Sequence, residues 1–317
     1  FEFAASSDTW VRVVNFANAP DGTLHICDMY REVIEHPWSL PEDIKRHLDL
    51  NSGNDRGRIY RIVPDHPGWT RRTTVALGSA GMAELVATLA HPNGWHRDTA
   101  SRLLYERQDP SAIPLLRKLE QESPSPLARH HALGALDGLG ALDEDTVSAA
   151  LADSDAHVRE RAVVLSEKLF VRGQPEARLI AALSRLATDP APRVRMKLAF
   201  IASTTPALAA AYARLATQDY ADKWISAALL SGSPEAVTRE LFPALTRDPE
   251  LARKAAPFVA HLIEIRAASK PTDGYAALIA FVAHGVDGAF AVGAGRRDLG
   301  EQEQSAIGSA LDAEQPV

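Results

Sequence analysis

The chain has 317 residues, a formal net charge of −7 and a pI near 5.9, with 46% hydrophobic and 24% charged residues and a mean hydropathy of −0.15. That length allows two or three domains, each with its own core. No run of about 18 apolar residues is present, which excludes a helical membrane span. The acidic balance without any basic block argues against a general nucleic-acid binder, while leaving room for a basic face confined to one helix layer.

The opening FEFAASS has no charged leader ahead of an apolar core. Neither a signal peptide nor a natural start is legible there, and the chain reads as a segment of a longer protein. Trp10–Phe16 is apolar and β-branched, and Pro20-Asp21-Gly22 is a strong turn signal. Thr23–Asp28 then alternates as a strand, as does Arg58–Ile62, where Ile59 shares a face with Arg61 and Tyr60 with Ile62. Together they predict a three-stranded meander, too small to be stable alone. Between the last two strands lies an insertion. Ser39-Leu40-Pro41-Glu42 has the form of a capping box and predicts a helix of roughly two to three turns through Leu50. Asn51–Asp55 ends it, and the breaker cluster Pro64–Gly68 marks a domain boundary.

From about Thr73 the periodicity becomes helical. The segments beginning at Trp95, Leu127, His157 and Arg193 align on a common arginine: Arg97, Arg129, Arg159 and Arg195. Each follows a polar or proline-bearing break, and a weaker copy lies at Asp219–Trp224. Helix pairs recurring at roughly 30 to 36 residues are the mark of an α-solenoid. The pattern D-x-x-x-V-R-x-x-A, clearest in Asp153–Ala162 and Asp189–Leu198, resembles HEAT repeats. Val and the following Ala or Leu fall on one buried face, and the arginine can reach the neighbouring repeat. The four arginines are expected to form an internal ladder paired with Asp or Glu. After about Lys270 the pattern degrades, with a glycine-rich break, GAFAVGAGRR, before a last expected helix at Gly300–Ala313.

The stretch PDGTLHICDMYREVIEHPWSLPEDIKRHLDLNSGNDRGRIYRI also resembles a segment of large secreted dehydrogenase-like proteins of planctomycetes and verrucomicrobia. The resemblance rests on PDG-x-L, D-x-Y, VIEHP and DRGRIYR. It implies that residues 10–62 are the final blade of a β-propeller, followed by HEAT-like helices and often a c-type cytochrome domain. It also implies a periplasmic or secreted setting and, in the parent protein, pyrroloquinoline quinone, Ca²⁺ or c-type haem. The other blades and a CxxCH motif are not in this chain, so no cofactor is expected within it.

Several residues of this stretch carry candidate chemistry. Asp28 can line a channel or bind Ca²⁺ through hard carboxylate oxygens, or can close its strand by accepting loop N–H groups; Tyr30 and Arg31 follow it directly. His36, between Glu35 and Trp38, can serve as acid/base or ligand, or can pin the insertion with Trp38 as an apolar plug. Arg56 and Arg58 can grip an anion in a forked contact, or can pair with Asp28, Glu32 or Asp55 to tie the insertion to the sheet. Asp43 and His47 stand four apart on the expected helix, a weak metal signal. The doublet His130-His131, about 100° apart on a helix, does not chelate readily, and His157 joins it as an ordinary helix histidine. Cys27 is expected to be a buried small hydrophobe.

No nucleophile elbow, P-loop, dinucleotide-binding glycine motif, zinc-protease motif or EF-hand loop is present. The reading is a mainly α chain: a small antiparallel β unit over 1–66, then a HEAT-like solenoid over 67–317. Its expected role is a non-catalytic scaffold segment of a propeller dehydrogenase-like parent, docking the parent's propeller and cytochrome-like domains. The alternative is a stand-alone scaffold that binds another protein on the solenoid surface.

Overall fold

The computed structural model describes residues 4–34, 36–70, 75–172 and 175–268. Glu35, the glycine-rich break and the helix expected at Gly300–Ala313 lie outside the described residues. The chain divides into two compact units, residues 1–139 and 140–317.

The first unit opens with a three-stranded antiparallel sheet in the order β1-β2-β3: β1 (Val13–Asn18), β2 (Leu24–Asp28) and β3 (Arg58–Ile62). Gly22, at φ +83°, makes the β1–β2 turn in a backbone conformation that glycine adopts without strain. Register places Phe16, Ile26 and Tyr60 in one row across the sheet, and Asn15, Cys27 and Ile59 in a row on the opposite face, with an irregularity between Val13 and Asn15. Cys27 is half-buried rather than buried, because the Ile59 beside it on that face lies open to solvent.

The insertion departs from the expected helix. Ser39 belongs to a one-turn 3₁₀ helix, Pro37–Ser39, and α1 covers only Glu42–Lys45, with Pro41 at its N-cap and no side-chain cap. The Ser-x-x-Glu spacing is present, but Ser39 is taken up by the preceding turn, where its N–H donates to His36 O at 2.8 Å. With α1 ending at Lys45, Asp43 and His47 do not share a helix face.

Helix pairs follow. In the first unit these are α2 (Met82–Thr88) with α3 (Gly94–Arg107), and α4 (Ala112–Glu122) with α5 (Pro126–Gly138). In the second unit α6 (Glu144–Ala150) pairs with α7 (Ala156–Arg172), α8 (Ala177–Arg185) with α9 (Pro192–Ala202), and α10 (Ala209–Asp219) with α11 (Lys223–Leu229). There α12 (Pro234–Thr246) packs on α13 (Pro249–Lys254) and α14 (Ala256–Ala268). Short polar caps start the second helices α3, α5, α7 and α11, whereas α9 starts at Pro192 after Ala191 with no side-chain cap. Asn93 Oδ1 accepts Trp95 N at 3.0 Å, Asp155 Oδ1 accepts His157 N at 2.8 Å, and Asp222 Oδ1 accepts Trp224 N at 2.9 Å. Four residues separate the core positions that follow: Ala128 and Ala132, Val158 and Ala162, Val194 and Leu198, Ile225 and Leu229 are all buried. Small alanines at three of these eight sites let neighbouring helices approach closely, while valine, isoleucine and leucine fill the other five. The chain is thus mostly helical after a small antiparallel sheet, and its repeated helix pairs fit an α-solenoid.

Candidate functional site

Asp28 is the polar hub of the β unit. Its carboxylate is 3% exposed, and Oδ1 accepts the backbone N–H of Arg12 at 2.8 Å and of Tyr30 at 2.9 Å. The Tyr60 hydroxyl donates to Oδ2 at 3.3 Å and receives Arg58 Nη1 at 3.2 Å. Burial alone pushes this carboxyl upward. The two N–H groups, the Tyr60 hydroxyl and the charge of Arg58 outweigh it and hold Asp28 below the ordinary carboxylate range.

Tyr30 sits beside this hub in a left-handed conformation, φ 49°. Its ring lies between Trp10, at 5.9 Å between centroids, and the Arg58 guanidinium, 3.9 Å from the ring centre. Gly53 completes the arrangement: at φ +84° it faces Tyr30 O so closely that a Cβ would stand 2.3 Å from that oxygen. Arg31 ties the insertion down from the other side, donating to Leu50 O at 3.1 Å and Asn51 O at 3.5 Å.

The remaining candidates of the insertion are not brought to this hub. His36 is exposed, and its Nδ1 accepts Trp38 N at 3.2 Å. Trp38 is 90% exposed, so it plugs nothing within the described residues. Arg56 and Asp55 approach only to 3.8 Å on the surface, and a pair so exposed contributes little. Arg56 and Arg58 therefore do not form a joint fork: Arg58 is spent on Tyr30 and Tyr60.

The donors around Asp28 do not make a cage for a metal ion. Ca²⁺ takes six to eight oxygens, whereas Asp28 already accepts two N–H groups and a hydroxyl, and the described residues contain no group of three or more His, Cys, Asp or Glu placed to hold a metal. A quinone or haem finds no better fit around Asp28, whose surroundings are filled by protein hydrogen bonds.

The repeat arginines have a regular geometry. Each is the fourth residue of its helix and turns back to the carbonyl six residues earlier, in the break before that helix. Arg97 donates to His91 O at 2.6 Å, Arg129 to Ser123 O at 2.7 Å, Arg159 to Asp153 O at 2.8 Å and Arg195 to Asp189 O at 2.7 Å. In Arg97, Arg159 and Arg195 other nitrogens reach forward. Arg159 forks onto Asp189 at 2.7 and 2.9 Å, and Arg195 onto Asp219 at 2.9 and 2.8 Å. Arg97 meets His131 Nε2 at 3.2 Å, where the next break carries Ser123 in the place of an aspartate. Asp189 feels burial upward and, more strongly in sum, the Arg159 fork, the Ala191 N–H and both arginine charges downward.

Two groups were not visible as functional in the pattern. In the weaker fifth copy Ser226 stands at the fourth helical position, and its hydroxyl donates to Tyr220 O, again six residues earlier, at 2.6 Å. His96 occupies the position filled by Ala128, Val158, Val194 and Ile225 in later repeats. It is buried and brings Nε2 within 2.9 Å of Pro20 O, while Asn93 Nδ2 donates to Ala19 O at 2.8 Å. These two side chains seat the β1–β2 turn on the first helix pair. The signal was the departure itself, a histidine where the repeat wants an apolar residue. A cleft of about 530 Å³ lined by Asp21, His66, Trp69 and His91 flanks this seam.

Residues 1–66 match the model of a domain of unknown function (DUF7133), and residues 82–166 match the model of HEAT repeats. No curated protein matches the chain. The β unit is therefore similar to a domain whose role is open, and residues 82–166 are similar to HEAT repeats.

Proposed function

We propose that this chain is a non-catalytic scaffold segment of a larger secreted or periplasmic protein resembling the propeller dehydrogenases. In this reading residues 1–66 form the last propeller blade and the helices hold the parent's redox modules together. Sugar or alcohol oxidation, with any quinone, Ca²⁺ or haem, belongs to the propeller and cytochrome-like domains of that parent.

The supporting observation is the sheet itself. Phe16 is 60% exposed on one face and Ile59 71% exposed on the other, so both faces of a three-stranded sheet present large apolar side chains to solvent. Sheets open to water normally bury one apolar face and turn polar side chains outward, and exposed apolar patches mark contact surfaces. A blade stacked between neighbours would cover both faces. The HEAT repeats support a second reading, a stand-alone scaffold that binds another protein.

The test uses the coding sequence around this chain and the full-length protein it encodes. Propeller blades upstream and dye-linked oxidation of sugars or alcohols are expected. Phe16→Asp together with Ile59→Asp should then open the parent to trypsin near residues 63–76, while Asp28→Asn leaves turnover per folded molecule unchanged. An open reading frame without upstream blades leaves the stand-alone scaffold.

A further inference from the structure

The second helices of three successive pairs, α7, α9 and α11, pack side by side in the second unit. On α7 and α9 the second, sixth and ninth positions fall on one side, away from the buried residues; on the shorter α11 only the second does, since its sixth, Ala228, is buried. On α7 these are His157, Arg161 and Val164; on α9 they are Arg193, Lys197 and Phe200; on α11 Trp224 stands at the second position. Phe200 is 45% and Trp224 67% exposed, and Lys223 Nζ lies 5.2 Å from the Trp224 ring centre. Among the described residues, neither Arg161 nor Lys197 has a hydrogen-bond or ion-pair partner, and Arg161 Nε is buried with its donor unmet. A native buried donor without an acceptor calls for an explanation. Glu160, next to Arg161 on α7, is engaged by Arg193 at 3.0 and 3.1 Å.

This face is therefore cationic and aromatic in a chain whose net charge is −7. We propose that it is a docking surface for an acidic peptide segment of a partner protein, with Arg161 and Lys197 receiving carboxylates and Phe200 and Trp224 receiving an apolar side chain between them. The inference rests on the scaffold reading above and names the chemistry of the partner. Charge complementarity selects the occupant: unspent cations at equivalent positions of adjacent helices match carboxylates spaced along an extended chain, and exposed aromatics supply the anchor that charge alone lacks. A nucleic acid fits less well, because the field of an acidic protein repels a long polyanion while two or three carboxylates meet only the local patch.

The experiment is fluorescence anisotropy on the full chain with labelled 12-residue peptides. One set is rich in Asp and Glu around a single Phe or Leu, and a matched set replaces the acids by Lys; a labelled oligothymidine is titrated alongside. The acidic set should bind, the Lys set should not, and binding should weaken steeply from low to high salt. Lys197→Glu and Phe200→Ala should each lower affinity about tenfold with unchanged thermal melting. Arg161→Gln, should it perturb folding, is replaced by the Lys197 variant as the decisive arm. Equal binding of both peptide sets, binding indifferent to Lys197→Glu and Phe200→Ala, no binding at millimolar peptide, or binding of the oligonucleotide alone each overturns the proposal. None of these results touches the upstream-blade test, so failure here is distinguishable from failure of the parent-protein reading.

Discussion

At the scale of single residues, the recurring device is a charged or polar group that satisfies backbone atoms first and a neighbour second. Arg159 shows why arginine rather than lysine holds that position. Its five donors let it serve two carbonyls of its own break and both oxygens of Asp189 at once, whereas an ammonium has three donors and no fixed fork. Both side chains are largely buried, at 12% and 3% exposure, so removing one leaves the other charged and uncompensated. Asp189→Asn should therefore destabilise the second unit by about 3 kcal/mol, and Arg159→Lys by less, about 1–2 kcal/mol, read as shifts in urea midpoint at constant slope. Equal losses for the two substitutions would deny the fork its part. Gly53 poses a steric rather than an electrostatic demand. Gly53→Ala meets both a positive φ and the Tyr30 carbonyl 2.3 Å away, and should cost more than about 2 kcal/mol. The loss should be local, seen as faster amide exchange over 28–31 and 53–58, with the helices unchanged.

At the scale of elements, the seam between the β1–β2 turn and α3 decides whether the small sheet is held. Three strands with two exposed apolar faces bury little of their own surface, so two hydrogen bonds from Asn93 and His96 carry more weight than they would in a large core. Asn93 also caps α3 through Trp95 N, so Asn93→Ala removes a cap and an anchor together and should cost about 1–2 kcal/mol. His96→Val restores the apolar residue of the other repeats and leaves the cap intact. It should speed exchange of the Leu24–Asp28 amides several-fold while α3 keeps its protection; unchanged strand exchange would show that His96 only packs. The same comparison shows what could be read from the residues alone. The strands, the helix pairs and the phase of Arg97, Arg129, Arg159 and Arg195 follow from alternation and period, which are local properties. The capping box at Ser39 did not form a long helix, because a cap signal states where a helix can begin and not whether apolar contacts extend it: α1 has no buried residue. His36 and Asp28 lie eight residues apart in sequence, yet they do different work, since the insertion carries His36 to the surface while the strand end keeps Asp28 inside. Ser226 gives no signal in the sequence because its role is a position, not a residue type.

At the scale of the whole molecule, each compact unit holds a buried aspartate whose folded form is ionised: Asp28 in residues 1–139 and Asp189 in residues 140–317. Both are depressed below the ordinary value of 3.8, so the unfolded chain binds their protons more readily than the folded one. The linked stability is complete above that ordinary value and is lost as pH falls from it through the lower folded value. Neutral and mildly alkaline conditions should therefore leave these contributions untouched, while acid below about pH 4 erodes both units. The two groups are separable by substitution. Asp189→Asn should flatten the fall in stability between about pH 5 and 2 for amides of α7 to α11 only, and Asp28→Asn for the strands only. Hydrogen exchange measured by mass spectrometry across that range reads both at once. Wild-type protection should collapse in both units with acid, and each variant should start lower at neutral pH but lose less on acidification in its own unit. A variant that loses as much as the wild type would mean that its aspartate is not held below the ordinary carboxylate range, and that acid acts through other carboxylates.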